Sequence, residues 1–408
     1  MTTSTPKALP LAGIRVVDYC WAVAGPVVTK YLAMMGAEVI KIESRARLDG
    51  ARLGNPFLEG KPGVNKSGYF ATHNPSKMSV RMDISKPEAQ ALIRRLVARA
   101  DIVSESFSTK VLREHNLHYE EMKKVKADII MISLTMQGQT GPFAHHVGFG
   151  RTLGGLAGFD HLTGWPNSNP AAPNQPYTDL VVPWFAVASI VAALRHRNAT
   201  GLGQYIDMSQ LEAGEHFLEP ALLDYFVNGR SEKRVGNRTP GAAPHNVYPC
   251  QGTDRWVAIA VMNDAMWTAL CQAMGKPGIA IDERFATLLA RKRNEEALDH
   301  ITGEWTRPQT VEEVVAKLRG AGVSTGAVAR GEDLHSDAQL KHRGHLRIVE
   351  HPVLGKPTQV WPSFRSDEME PEMRRAPLLG EHTHHVCREI LGLPPEEITR
   401  LEEAQVLF

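Results

Sequence analysis

The chain has 408 residues, with 46 Lys and Arg against 45 Asp and Glu. That length provides for two domains and a substantial core. The near-balance of charge excludes both the overall basic field of a nucleic-acid binder and the acidic excess of a solvating tail, so any anion site has to be built locally.

Cys20, Cys250, Cys271 and Cys387 lie far apart without metal-type or redox-type pairing. They read as reduced, buried thiols. The polar start Met1-Thr2-Thr3-Ser4-Thr5-Pro6-Lys7 lacks the apolar stretch of a signal peptide, which predicts a cytoplasmic protein. Leu180 to Leu194 is the longest nearly apolar stretch, but it is too short to cross a bilayer and reads as a core helix.

In chain order, Ile14 to Tyr19 predicts a strand, Ala24-Gly25-Pro26 a turn opening a helix to about Met35, and Glu38 to Glu43 a second strand. This is a βαβ unit. Ser85-Lys86-Pro87-Glu88 reads as a capping box for a helix with Ala89, Leu92, Ile93, Leu96 and Val97 on one face, followed by a strand over 101–105. A strand over 128–134 leads into a glycine-rich region, then a proline-rich one to Pro176, read together as one long loop that is functional or wraps a partner. Leu180, Trp184, Val187, Val191 and Leu194 mark a helix face, and 204–208 a strand. A break at 236–245 precedes the strand 255–261 and several helices. The fold class is therefore α/β: a large domain over 1–224, a smaller one over 225–330, and a segment over 331–408 that returns to the first.

Several candidate sites are weak. Glu43 stands where a ribose-binding acid would end the second strand, but Ala22-Val23-Ala24-Gly25-Pro26 lacks the glycines of a dinucleotide fingerprint. The turn retains the ability to hold a phosphate-bearing ligand at a helix start. His145-His146 and His382-Thr383-His384-His385 lack metal-ligand spacing and read as solvated surface. No Gly-x-Ser-x-Gly motif is present. Asp179, just before the apolar helix, has two readings: a cap accepting free helix N–H groups, which the local pattern favours, or a nucleophile.

Taken together, Leu11 to Asp18, Ala24-Gly25-Pro26, Gly36 to Glu43, Asn74-Pro75-Ser76-Lys77, Tyr177-Thr178-Asp179, Gly201 to Asp207 and Ala376 to His382 resemble, in order and spacing, the class III CoA-transferase family. That family includes the formyl-CoA, carnitine and benzylsuccinate CoA-transferases. The resemblance implies a Rossmann-like large domain completed by the C-terminal segment, a small domain on two linkers, and an interlocked dimer. It places the family's catalytic aspartate on Asp179. The implied chemistry is attack of the carboxylate on an acyl-CoA, an aspartyl anhydride, then an aspartyl-CoA thioester, with backbone N–H groups of a glycine-rich loop stabilising the oxyanions. It implies no tightly bound cofactor and no metal; CoA is a substrate.

By the same resemblance, Val23 and Ala24 face the CoA, Ser44 and Arg45 lie near its adenosine or phosphates, and Met82, Ser106 and Phe107 border adenine and pantetheine. Formyl-CoA transferase has Gln, Arg and Asn where Val23, Ser44 and Ser106 stand, which passes the phosphate charge to Arg45 or Arg113. The run of glycines of its small domain is replaced by Arg238 to Asn246, so formyl or oxalyl specificity is not implied. Leu153 to Pro166 looks most like relatives acting on succinyl-CoA and dicarboxylic or aromatic acids. The family also contains α-methylacyl-CoA racemases, whose upstream His aligns with Phe149, a side chain that cannot move a proton. A further reading is a subunit of a heteromeric transferase.

Overall fold

The computed structural model describes residues 9–408, which form two compact units. The first runs to Asp160 and resumes over Ala172–Ser231 and His342–Phe408; the second consists of His161–Ala171 and Glu232–Lys341. The chain thus leaves the first unit later than residue 224 and rejoins it later than residue 331. A piece of the long loop also belongs to the second unit.

The first unit is built on six parallel strands: β1 (Arg15–Asp18), β2 (Glu38–Glu43), β3 (Met78–Arg81), β4 (Ile102–Glu105), β5 (Ile130–Thr135) and β6 (Tyr205–Ser209), in the order β3-β2-β1-β4-β5-β6. Cores lie on both faces of the sheet, hence runs such as Ile130-Met131-Ile132 rather than alternation. The reversal of strand order falls between β1 and β4, and the crevice outside the carboxyl ends there is where open α/β sheets bind ligands.

The helices of this unit include α1 (Ala24–Met34), α2 (Gly68–His73), α3 (Pro87–Val97), α4 (Val111–Glu114), α5 (Tyr119–Val125), α6 (Gly150–Leu156), α8 (Tyr177–Thr200), α9 (Gln210–Glu215) and α10 (Glu219–Asn228); the short α7 (Phe159–Leu162) runs across its boundary at Asp160. The predicted apolar face of α3 is its buried face. Its start differs, because Pro87 occupies the first helical position and makes Lys86 the N-cap, while Ser85 bonds Asp83 instead. The glycine-rich region is not all loop: it contains α6 and α7.

The apolar face of α8 also differs from the predicted one. Val181, Val182, Ala186, Ile190, Ala193 and Leu194 pack inward, while Leu180, Trp184 and Val191 stay exposed. Small Ala186 and Ala193 let this helix approach the layer below, and its nearly all-round hydrophobicity hid which side that would be. At 24 residues α8 is long and apolar enough by composition to cross a membrane, but half of that stretch is buried in the protein.

Two signature segments turn out to be structural. Lys77 is fully buried and reaches Asp18 Oδ2 at 3.1 Å, the Asn74 side-chain oxygen at 2.9 Å and the Pro26 carbonyl at 3.0 Å, tying β1, α1 and the chain before β3 together. Burial opposes ionisation of Asp18, but Lys77, Lys41, the Thr29 hydroxyl and the Cys20 N–H together hold its pKa below the ordinary value. The Ala376–His382 segment runs along β3: Gly380 N–H donates to Ser79 Oγ at 2.8 Å and His382 N–H to the Ser79 carbonyl at 2.9 Å.

The second unit carries an antiparallel sheet of β7 (His245–Pro249), β8 (Trp256–Ala260) and β9 (Ser324–Ala327). Trp267, Leu270, Phe285, Leu298, Val314 and Leu318 form its core, so it is α+β with a core of its own.

Candidate functional site

A cavity of about 500 Å³ opens at the carboxyl ends of the parallel strands. Tyr19 follows β1, Ser44 follows β2, Met82 follows β3, Ser106 follows β4, and Thr135 ends β5; all border it. Asp179 lines it as well.

The turn between β1 and α1 forms one wall. Ala22 is held at a φ of 61°, its N–H given to Asp49 Oδ1 at 3.0 Å, and Asp49 Oδ2 meets buried Lys41 at 2.9 Å. Gly25 is required by space: a β-carbon there would stand 2.4 Å from Cys20 Sγ. Trp21 N–H donates to Ser106 Oγ at 3.0 Å, and its ring meets Phe107 edge-on at 5.0 Å. Phe107 N–H in turn donates to Glu105 Oε2 at 2.7 Å. Burial pushes the Glu105 carboxyl up to about 7, against the Ser133 and Phe107 hydrogen bonds that favour its charge.

Asp179 is the third residue of α8, not its cap. Pro176 holds the N-cap position and no side chain caps the helix. Pro183, four residues on, has no N–H to give the Asp179 carbonyl, which removes a helical bond at this turn. Among the described residues the Asp179 carboxylate has no hydrogen-bond or ion-pair partner, and burial raises its pKa from 3.8 to about 6. It is therefore mainly ionised at pH 7 and poorly solvated, which is the condition of a reactive carboxylate. Gly150, the first residue of α6, lies directly against it: a β-carbon at Gly150 would stand 2.6 Å from the carboxylate carbon and both its oxygens. The start of α6 thus meets the carboxylate, where free helix N–H groups favour negative charge. Tyr69 is close enough that, after burial, the charge of Asp179 is the next cause raising its phenol pKa.

Of the residues assigned by sequence, Val23, Ala24, Ser44, Met82, Ser106 and Phe107 line the same cavity as Asp179. Arg45 and Arg113 do not. The backbone N–H of Arg45 is held by the Phe408 carbonyl at 2.9 Å, and Arg113 borders a separate recess of about 50 Å³ beside Glu105 and Tyr205. Glu43 is held by Arg52, with Nε and Nη2 each at 2.7 Å, and by Ser79 at 2.6 Å, leaving it no role as a ribose acceptor. Sequence reasoning missed Arg47, Trp21, His115 and Gln210, all in the lining. Arg47 and Trp21 lie in irregular segments after strands, where no periodicity marks a direction. His145 and His146 are both exposed, as the sequence reading expects; His146 also borders the cavity, and His145 bonds Thr109 Oγ1 at 2.9 Å.

The family model for CoA-transferase family III matches residues 11–383. The chain belongs to CoA-transferase family III. A succinate–glutarate CoA-transferase of Agrobacterium fabrum is 34% identical over 394 residues, covering 96% of this chain and 98% of that protein. A succinyl-CoA–D-citramalate CoA-transferase of Chloroflexus aurantiacus is 31% identical, covering 98% of each chain. Among solved structures, a CAIB/BAIF family protein from Brucella suis is 32% identical with a TM-score of 0.87, covering 94% of this chain and all of that one. CoA-transferases take CoA thioesters and carboxylic acids as substrates, and the strand-end cavity with its buried carboxylate lies within the segment that the family model spans.

Proposed function

We propose that this chain is a CoA-transferase that moves CoA from succinyl-CoA, or a similar acyl-CoA, to a dicarboxylic acid, with Asp179 as the nucleophile. The observation that carries the reading is the Asp179 carboxylate itself: desolvated, unpaired among the described residues and pressed against Gly150 in the cavity lining. One Asp179 oxygen attacks the thioester carbonyl; the C–S bond breaks and CoA leaves as thiolate, giving an aspartyl anhydride. The thiolate then attacks the Asp179 carbonyl, expelling the donor acid and leaving an aspartyl-CoA thioester. The acceptor carboxylate attacks this thioester, CoA thiolate leaves again, and the thiolate takes the acyl group from the second anhydride to regenerate Asp179. A carboxylate suits both halves because it is a nucleophile when ionised and a leaving group when acylated. The free N–H groups at the start of α6 supply donors for the oxyanions.

The names of the Agrobacterium and Chloroflexus relatives support succinyl-CoA and dicarboxylic acids as the substrate class. Racemisation fits less well, because Phe149 precedes Gly150 where a proton-moving His would stand, and its ring is 78% exposed. The assembly we propose is a homodimer, supported by α10, none of whose residues is buried although it carries Leu222, Leu223, Tyr225, Phe226 and Val227. Four unpaired, buried cysteines suit a cytoplasmic enzyme.

The test is to incubate the protein with a panel of acyl-CoA donors, trap with hydroxylamine or borohydride, and seek the modified peptide containing Asp179 by mass spectrometry. Full transfer activity in Asp179→Ala would overturn the mechanism. Exchange of the α-hydrogen with deuterated solvent would favour the racemase.

A further inference from the structure

We propose that Arg47 holds a phosphate group of CoA, from a shelf made by Trp21. This rests on the CoA-transferase reading of the cavity. CoA carries a diphosphate and a 3′-phosphate, so its seat requires positive charge, and this chain has no general basic field to supply it. Among the described residues Arg47 is the one Lys or Arg in the cavity lining. Its guanidinium lies 5.4 Å from the Trp21 ring centroid, and Trp21 is itself fixed by Phe107 and by its N–H bond to Ser106. Stacking on an aromatic face restrains a long side chain while leaving its N–H fork free for a bidentate phosphate contact.

Neighbouring charges are already committed. Arg52 is bound by Glu43, Lys41 by Asp49, and Lys77 by Asp18, all in buried pairs. Among the described residues Arg47 has neither a carboxylate partner nor a hydrogen bond. The two acids in the lining nearest in sequence, Glu43 and Asp83, are also occupied: Glu43 by Arg52 and Ser79, Asp83 by the Ser85 N–H and hydroxyl. An anion entering beside Trp21 therefore meets one unspent cation. Arg45 and Arg113 stand outside the lining, so Arg47 takes the role that the resemblance left between them.

Calorimetry of CoA binding to the full chain, its Arg47→Ala variant and its Arg47→Lys variant tests this, with thermal unfolding to verify that each folds. The expected result is a loss of roughly 10- to 100-fold in CoA affinity for Arg47→Ala, partly recovered by Arg47→Lys, which restores the charge without the fork. Dephospho-CoA separates the two sources: a loss that disappears with it assigns the 3′-phosphate, and one that persists assigns the diphosphate. In turnover, succinyl-pantetheine, which has no phosphate, should show the same kcat/KM with both wild type and Arg47→Ala. Equal CoA affinity of wild type and Arg47→Ala, or an equal loss with succinyl-pantetheine, overturns the inference and leaves the CoA-transferase reading standing. A folded wild-type chain that does not bind CoA overturns both.

Discussion

Gly150 and Asp179 touch: the hydrogen on the Gly150 Cα occupies the space where a side chain would meet the carboxylate at 2.6 Å. Contact this close leaves Asp179 one way to accommodate even a methyl group, which is to rotate its carboxylate away from the start of α6. Gly150→Ala should therefore fold normally and lose transfer activity by about 100-fold or more, the scale of losing oriented donors at a reacting carbonyl. Steady-state kinetics beside circular dichroism check it. Activity within a few-fold of wild type would mean that this contact does not orient Asp179 for the attack we propose.

Asp179 also makes a prediction about pH. Its carboxyl titrates at about 6 in the fold against 3.8 without burial. Activity that needs the ionised form should fall as pH drops through about 6. The stability effect has the opposite direction: above pH 6 the group is ionised folded and unfolded, and the folded chain bears the full desolvation cost. Below about pH 4 it is protonated in both states and the cost disappears. Asp179→Asn should thus abolish transfer and raise stability at neutral pH by up to ~3 kcal/mol, with the gain fading between pH 6 and pH 4. Denaturant unfolding at several pH values measures it.

Lys30 offers a second test of buried charge without an active-site role. Its ammonium donates to the Thr72 carbonyl at 3.0 Å, has no carboxylate partner among the described residues, and is lowered to about 8 by burial first and by Lys77 next. Below pH 8 the lysine is charged in both states and the folded protein carries the cost; above about 10.5 it is neutral in both and the cost is gone. Lys30→Met should stabilise the protein at pH 7 on the order of 2 kcal/mol, less whatever the lost Thr72 bond contributes. The gain should shrink between pH 8 and pH 10.5. Destabilisation at pH 7 would show that the charge is compensated.

The sequence was most legible where local pattern and burial agree. The α3 face from Ala89 to Val97 was readable from its helical periodicity, and the strand Glu38–Glu43 from a short β-branched apolar run that both faces of the sheet bury. The inward side of α8 was not, since a helix apolar all round carries no directional signal until Ala186 and Ala193 are seen against the layer beneath. Met78–Arg81 escaped notice because a short, half-polar strand gains its identity from β2 and from Ser79 bonding Glu43. In the cavity, Asp179 was singled out through the resemblance's order of motifs rather than through its own neighbourhood, which favoured a cap. Arg47 was missed for a spatial reason: its meeting with Trp21 joins two loops that follow different strands.

The Asn74–Lys77 signature should matter through folding rather than through chemistry. Lys77→Met leaves Asp18 buried with Lys41 as its remaining nearby cation and removes the bonds to Asn74 and the Pro26 carbonyl. Breaking one side of a buried pair costs about 3–5 kcal/mol, so chemical unfolding should show a loss of that order. The same change loosens the turn that carries Val23 and Ala24, which line the cavity, so if CoA binds there as we propose its affinity should weaken in whatever fraction stays folded.

The exposed side of α10 is where the proposed dimer is most open to refutation. Phe226 is 86% exposed, and Leu222, Leu223 and Val227 are each more than half exposed. An apolar helix left in water costs solubility unless a partner covers it. Phe226→Asp together with Leu223→Asp would place two charges in that contact, which is unfavourable in a closed interface but harmless on a free surface. Light scattering should then show a dimeric wild type and a variant that is monomeric or fails to assemble. A wild type that is monomeric at micromolar concentration, or a double variant that dimerises as tightly as the parent, would remove α10 from the interface.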